Sequence, residues 1–145
     1  MDIPRTDGIA ARVFVLDDSP VSLTFVRLLL EEHGYRVHTF DSPLGITKEV
    51  MRHRPDLVLV DINMPSITGD KVCRLIRSAS ATREVVVLLY SSLPQAELEQ
   101  IARAAGADGV IVKTGDGRQL VQTVERYLAR RHKSAQSGSM RAAKP

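Results

Sequence analysis

The chain has 145 residues, 43% of them hydrophobic and 26% charged, with a net charge of +3. That length suits one domain around a single core, and the composition excludes a disordered chain and a membrane protein, since no apolar run approaches the ~20 residues that span a bilayer. The excess charge sits at one end, where Arg130, Arg131, Lys133, Arg141 and Lys144 occur with no acid among them, while the preceding segment is close to balanced.

After a short extension over 1–11, Val13-Phe14-Val15-Leu16 reads as a first strand. Ser19-Pro20 then sets a capping hydroxyl before a proline at the first helical position, and Val21, Phe25, Leu28 and Leu29 recur at helical spacing up to Gly34. Tyr35 to Phe40 alternates and carries Arg36 and His38, as an edge strand does. Ser42-Pro43 repeats the helix-start signal, and that helix stops before Pro55. Leu57-Val58-Leu59-Val60 is the third strand. A third helix spans about 69–78 with Val72, Leu75 and Ile76 on one side. Val85 to Leu89 is the fourth strand, and the helix after Pro94 ends near Gly106. Val110-Ile111-Val112 precedes a last helix over about 116–131, whose apolar face is Leu120, Val121, Val124, Tyr127 and Leu128. The domain is thus expected over 12–131, with residues 132–145 a mobile basic tail, since small polar residues cannot offset the entropy of ordering.

Four of these strands do not alternate, so both faces are buried, as in a parallel sheet covered by helices on each side. Five successive βα units predict an α/β doubly wound sheet, and ligands of such sheets bind beyond the carboxyl ends of the strands. Those ends carry Asp17-Asp18, Asp61, Ser91-Ser92 and Lys113. Three carboxylates converging on one rim repel one another unless a cation sits among them. Mg²⁺ fits, because it takes oxygen ligands and fills its remaining positions with water and phosphate. Phosphate is then the expected second guest, and Asp61, on the central strand, is the best placed carboxylate to attack it and form an acyl phosphate.

Asp17-Asp18, Asp61-Ile62-Asn63-Met64-Pro65 with Gly69, Ser91 and Lys113 resemble the receiver domains of two-component response regulators. The resemblance covers about residues 12–130 and implies a flavodoxin-like sheet of order 2-1-3-4-5 with five flanking helices. It implies Asp61 as phosphoacceptor, Asp18 as a direct metal ligand and Asp17 as a ligand through water. Asn63 would offer its backbone carbonyl, and Ser91 and Lys113 would contact the phosphoryl group. The implied donor is a phosphohistidine on a histidine kinase or phosphotransfer protein. The implied output is a downstream protein target, reached through a repacked face of the fourth helix, fifth strand and fifth helix.

The pattern departs from the family at three places. Thr114 follows Lys113 where a proline after a cis bond is usual, so a trans bond and a rearranged loop are expected. Val110 stands where a switch aromatic is usual, leaving Tyr90 either as its substitute or as a buried structural tyrosine. Leu93 borders the route of hydrolytic water, or caps the fourth helix. The histidines lack metal-ligand spacing, and Cys73, inside a helix, reads as a small apolar residue.

The leading expectation is a stand-alone switch that catalyses at most its own phosphorylation and dephosphorylation. The rival is a pseudo-receiver, a constitutive protein-interaction module. A nucleic-acid-binding regulator using the basic tail ranks lower, since the core is neutral and aromatics are few, and no direct nucleic-acid binding is expected. The N-terminus lacks the apolar stretch of a secretory signal and there is one cysteine, so a cytoplasmic protein is expected, without membrane insertion.

Overall fold

A computed structural model describes residues 5–6 and 9–142. Five parallel strands form the sheet: β1 (Arg12–Leu16), β2 (Arg36–Phe40), β3 (Leu57–Asp61), β4 (Val86–Ser91) and β5 (Gly109–Val112). Their order is β2-β1-β3-β4-β5, the doubly wound arrangement. The helices are α1 (Pro20–Glu32), α2 (Ile46–His53), α3 (Gly69–Ser78), α4 (Gln95–Ala105) and α5 (Arg118–Ala142). Arg5–Thr6 and Ile9–Ala10 also pair antiparallel, a ribbon flanking the hairpin signal Asp7-Gly8 that the sequence reading did not use.

Successive strand residues point to opposite faces, and both faces are apolar, which is why the strands do not alternate. On one face Phe14, Leu16, Val58, Val60, Val87 and Leu89 pack with α2, α3 and α4 through Ile46, Val50, Val72, Cys73, Ile76, Leu98 and Ala102. On the other Val13, Val15, Leu57, Leu59, Leu88, Tyr90 and Ile111 pack with α1 and α5 through Leu23, Val26, Leu30, Leu120, Val124 and Leu128. Cys73 is buried, and burial pushes its thiol pKa up to about 11, as an inert apolar group requires.

Four local expectations need correction. Ser19 caps α1 as read, accepting from Ser22 N at 3.3 Å, but the buried stripe is Leu23, Val26 and Leu30. Val21, Phe25 and Leu28 are 81%, 42% and 54% exposed. At 100° per residue the two stripes lie on opposite sides of α1, and both are apolar, so spacing could not decide between them. Ser42-Pro43 makes a turn rather than a cap: Ser42 Oγ accepts from Leu44 N, and α2 starts only after Gly45, at φ +76°. Leu75 lies outside the buried face of α3, which Cys73 joins instead. The last helix does not stop near Arg131 but continues to Ala142. No proline lies between Arg118 and Pro145, and Ala135, Gln136, Met140 and Ala142 favour helix. The rest of the expected tail, residues 143–145, and residues 1–4 and 7–8 of the extension lie outside the described residues.

Arg77, at the end of α3, ties three segments together. Its guanidinium donates to Gly106 O (2.7 Å), Arg83 O (2.7 Å) and Val85 O, and pairs with Asp108 Oδ2 at 2.6 Å. Asp108 Oδ2 also accepts from Val87 N at 2.8 Å. Arg77→Ala is therefore expected to destabilise the fold by about 2 kcal/mol, read as a lower urea midpoint at unchanged slope; the half-exposed rim lets water recover part of the loss.

Candidate functional site

The rim at the carboxyl ends of β1, β3, β4 and β5 is held by backbone bonds that continue the sheet. Asp17 N donates to Phe40 O (3.1 Å), Ile62 N to Tyr90 O (3.2 Å) and Lys113 N to Ser91 O (2.8 Å). These bonds bring the residues just past the strands to one place. One carboxylate oxygen each from Asp17, Asp18 and Asp61 lie within 4.8 Å of one another, with Asp17 and Asp61 buried and Asp18 exposed. Lys113 Nζ sits 3.5 Å from both Asp17 Oδ2 and Asp61 Oδ1. Three carboxylates against one ammonium leave negative charge uncompensated, and every donor is a hard oxygen, a set that fits Mg²⁺.

The two buried acids titrate apart. Burial, and then the charge of Asp17, push the Asp61 pKa up to about 6 against the opposing pull of Lys113 and the Asn63 N–H. Asp17 goes the other way. Burial tends to raise its pKa, but hydrogen bonds from the Ser22 side chain and the Ser19 N–H, with the charge of Lys113, outweigh it and hold the carboxyl below its ordinary value. Ser19 N donates to Asp17 Oδ1 at 2.9 Å, so the start of α1 also fixes this acid. Ser19 was read only as a helix-start signal and Ser22 was not singled out; the spacing Asp-x-Ser-x-x-Ser could have shown that both hold an acid as well.

Asn63 N approaches Asp61 Oδ1 at 3.4 Å, and Gly69 N donates to Ile62 O at 3.0 Å, closing the loop after β3. Gly69 lies so close to this loop that a Cβ there would strike the carbonyl of Asp61 and come within 2.9 Å of Ile62 Cα. Ser91 is fully buried, and its Oγ accepts from Leu93 N at 3.2 Å. Leu93 is half-buried against the α2–α4 side of the core.

No cis peptide occurs among the described residues, so Lys113–Thr114 is trans, and Thr114 is exposed. Val110 and Thr114 line an open cleft of about 620 Å³ with Gln95 of α4 and Arg118, Gln122 and Arg126 of α5. Tyr90 is 6% exposed and packs with the α1–α5 cluster, whereas Val110 packs on the α2–α4 side. Tyr90 thus lies on the wrong face of the sheet to fill the place left by a ring at Val110. It meets Lys113 instead, whose Nζ stands 4.8 Å from the ring centroid. The sequence reading missed that contact, because adjacency of strand ends says nothing of a lysine's rotamer.

A family model described as the response regulator receiver domain matches residues 13–125. Among curated relatives, Protein RcaC of Microchaete diplosiphon is 30% identical over 130 residues, 90% of this chain and 20% of that protein. Protein PilH of Pseudomonas aeruginosa is 27% identical over 82% of this chain and 98% of its own length. The chain therefore spans a fifth of the first relative and nearly all of the second. Among solved structures, response regulator protein TrrA of Thermotoga maritima, in complex with Mg(2+)-BeF, is 26% identical, covers 81% of this chain and 98% of that one, and superposes with a TM-score of 0.71. With the doubly wound sheet, the acidic rim and the lysine opposite it already in place, the match over most of its length makes this chain a member of the response regulator receiver domain family.

Proposed function

We propose that the chain is a phosphorylation-dependent switch that takes a phosphoryl group on Asp61 from a phosphohistidine of a histidine kinase or phosphotransfer protein. The observation that carries this reading is the arrangement of the rim: Asp61 buried beside Asp17, Asp18 within 4.8 Å, and Lys113 at 3.5 Å from both buried acids. Asp17, Asp18 and Asp61, with the Asn63 backbone carbonyl, would hold Mg²⁺. When bound, the ion screens the charge of the carboxylates from that of the incoming phosphoryl group.

An Asp61 carboxylate oxygen attacks the phosphorus, the P–N bond breaks, and its electron pair leaves on the imidazole nitrogen, so an acyl phosphate replaces the phosphohistidine. With its pKa at about 6, Asp61 is mostly ionised at neutral pH, as a nucleophile must be. Lys113 offers its charge to a phosphoryl oxygen, and Ser91, which accepts from Leu93 N, keeps its own proton for the same purpose. Lys113→Ala is expected to slow phosphorylation about 10²-fold at saturating donor, followed by intact mass against time.

As a receiver domain the chain is a signalling protein rather than a turnover enzyme. The exposed apolar stripe of Val21, Phe25 and Leu28 begins just past the acids and gives a donor protein a face to dock on. Output runs through the face of α4, β5 and α5 to a downstream protein target, with Val110 presenting an open cleft in place of a ring. No helix among the described residues is long and apolar enough to cross a membrane. Action in the cytoplasm, beside the donor kinase, completes the reading.

The test is to incubate the protein with Mg²⁺ and acetyl phosphate or phosphoramidate and weigh it intact. A gain of one phosphoryl mass that a chelator prevents is expected. No gain under any condition would overturn the switch in favour of a constitutive protein-interaction module, which Thr114 and Val110 would then accompany.

A further inference from the structure

We propose that Tyr90 is a positioning residue for Lys113, its ring forming a fixed seat that holds the ammonium between Asp17 and Asp61. The proposal rests on the reading of Lys113 as the cation of the phosphorylation site. A lysine on a strand end has many rotamers and must lose that freedom to act at one point. The chain after it gives little support, since Thr114 and Gly115 are exposed and a Cβ on Gly115 would meet nothing within 4 Å. The proline usual in the family at Thr114 is also missing.

The ring, by contrast, is anchored. Tyr90 pairs in register with Asp61 on one side and Ile111 on the other, its carbonyl accepts from Ile62 N at 3.2 Å, and it is 6% exposed within the α1–α5 cluster. The face of such a ring attracts a cation, the more so where water is excluded. With Nζ 4.8 Å from the centroid and 3.5 Å from each buried carboxylate, the ammonium is held from three directions. Because Tyr90 is buried on the face away from Val110, it does not take the place of a swinging aromatic on β5. It stays put and fixes where the positive charge stands.

A bulky apolar side chain would serve equally well if Tyr90 were only core, which Tyr90→Leu and Tyr90→Phe distinguish. At saturating phosphoramidate and Mg²⁺, Tyr90→Leu should be phosphorylated about tenfold more slowly than the wild type, with apparent Mg²⁺ affinity changed by less than about twofold. Tyr90→Phe keeps the π face and should restore the rate. Independently of phosphorylation, the Lys113 ε-methylene protons should show an upfield ring-current shift by NMR in the wild type and in Tyr90→Phe, absent in Tyr90→Leu. A chain that takes no phosphoryl group would refute the switch, while the wild-type ring-current shift would still decide the seat without any variant having to fold. The seat is overturned by a wild-type spectrum without that shift, by Tyr90→Leu reacting as fast as wild type, or by Tyr90→Phe reacting as slowly as Tyr90→Leu.

Discussion

Asp61→Asn is expected to abolish phosphoryl labelling entirely and, in the presence of a chelator, to make the protein more stable than the wild type at pH 7 and above. The first effect follows from losing the nucleophile, since an amide does not form the acyl phosphate. The second follows from linkage. Burial and the neighbouring Asp17 charge raise the Asp61 pKa from 3.8 to about 6, so in that window the folded protein holds a proton that the unfolded chain releases. Stability is therefore highest on the acid side of the window and falls as pH rises through about 6. Asp17, held below its ordinary value, contributes with the opposite sign and only at lower pH. A shift of about 2 units at about 1.4 kcal/mol each sets an upper bound near 3 kcal/mol; with Lys113 beside it, a gain of about 1–3 kcal/mol is expected in Asp61→Asn. Thermal melts from pH 5 to 8 should show the wild type losing stability relative to the variant as pH rises through about 6; taking the difference cancels the opposite contribution of His38, whose pKa burial lowers in both proteins. Mg²⁺ should raise the wild-type melting temperature more than that of the variant.

Gly69→Ala is expected to cost about 3 kcal/mol or more of stability, measured by urea unfolding. The added Cβ would meet backbone, not a flexible side chain: the Asp61 carbonyl, its carbon at 2.8 Å, and Ile62 Cα at 2.9 Å. No rotamer change relieves such a contact, so the loop after β3 must move or α3 must tilt away. Either movement shifts the backbone of Asp61 itself. Phosphorylation should therefore fall together with stability, and saturating donor should not restore it.

Much of this was legible in the sequence because the sheet is parallel and covered on both sides. Runs such as Leu57-Val58-Leu59-Val60 could only be buried strands, and the polar residues closing them, Asp61 and Ser91, had to share one rim. What stayed hidden were choices between equivalent patterns. α1 carries two opposed apolar stripes, and only the chain's exit from β1 decides that Leu23, Val26 and Leu30 face inward. Ser42-Pro43 has the chemistry of a helix start, but the left-handed Gly45 two residues on delays the helix. The face occupied by Tyr90 follows from strand parity, yet its meeting with Lys113 depends on how a long side chain folds back over the rim.

The Arg77 clamp has a mechanical consequence for α4. One end of that helix, at Gly106, is tied to α3 and to the carbonyls before β4. The other end begins after Pro94, close to Ser91 and Leu93, with no side chain capping it. A rod pinned at one end and pushed at the other swings rather than slides. With 11 residues in α4, the arm is about 16 Å long, so a displacement of about 1 Å beside Ser91 becomes a tilt of about 4° pivoting on Gly106.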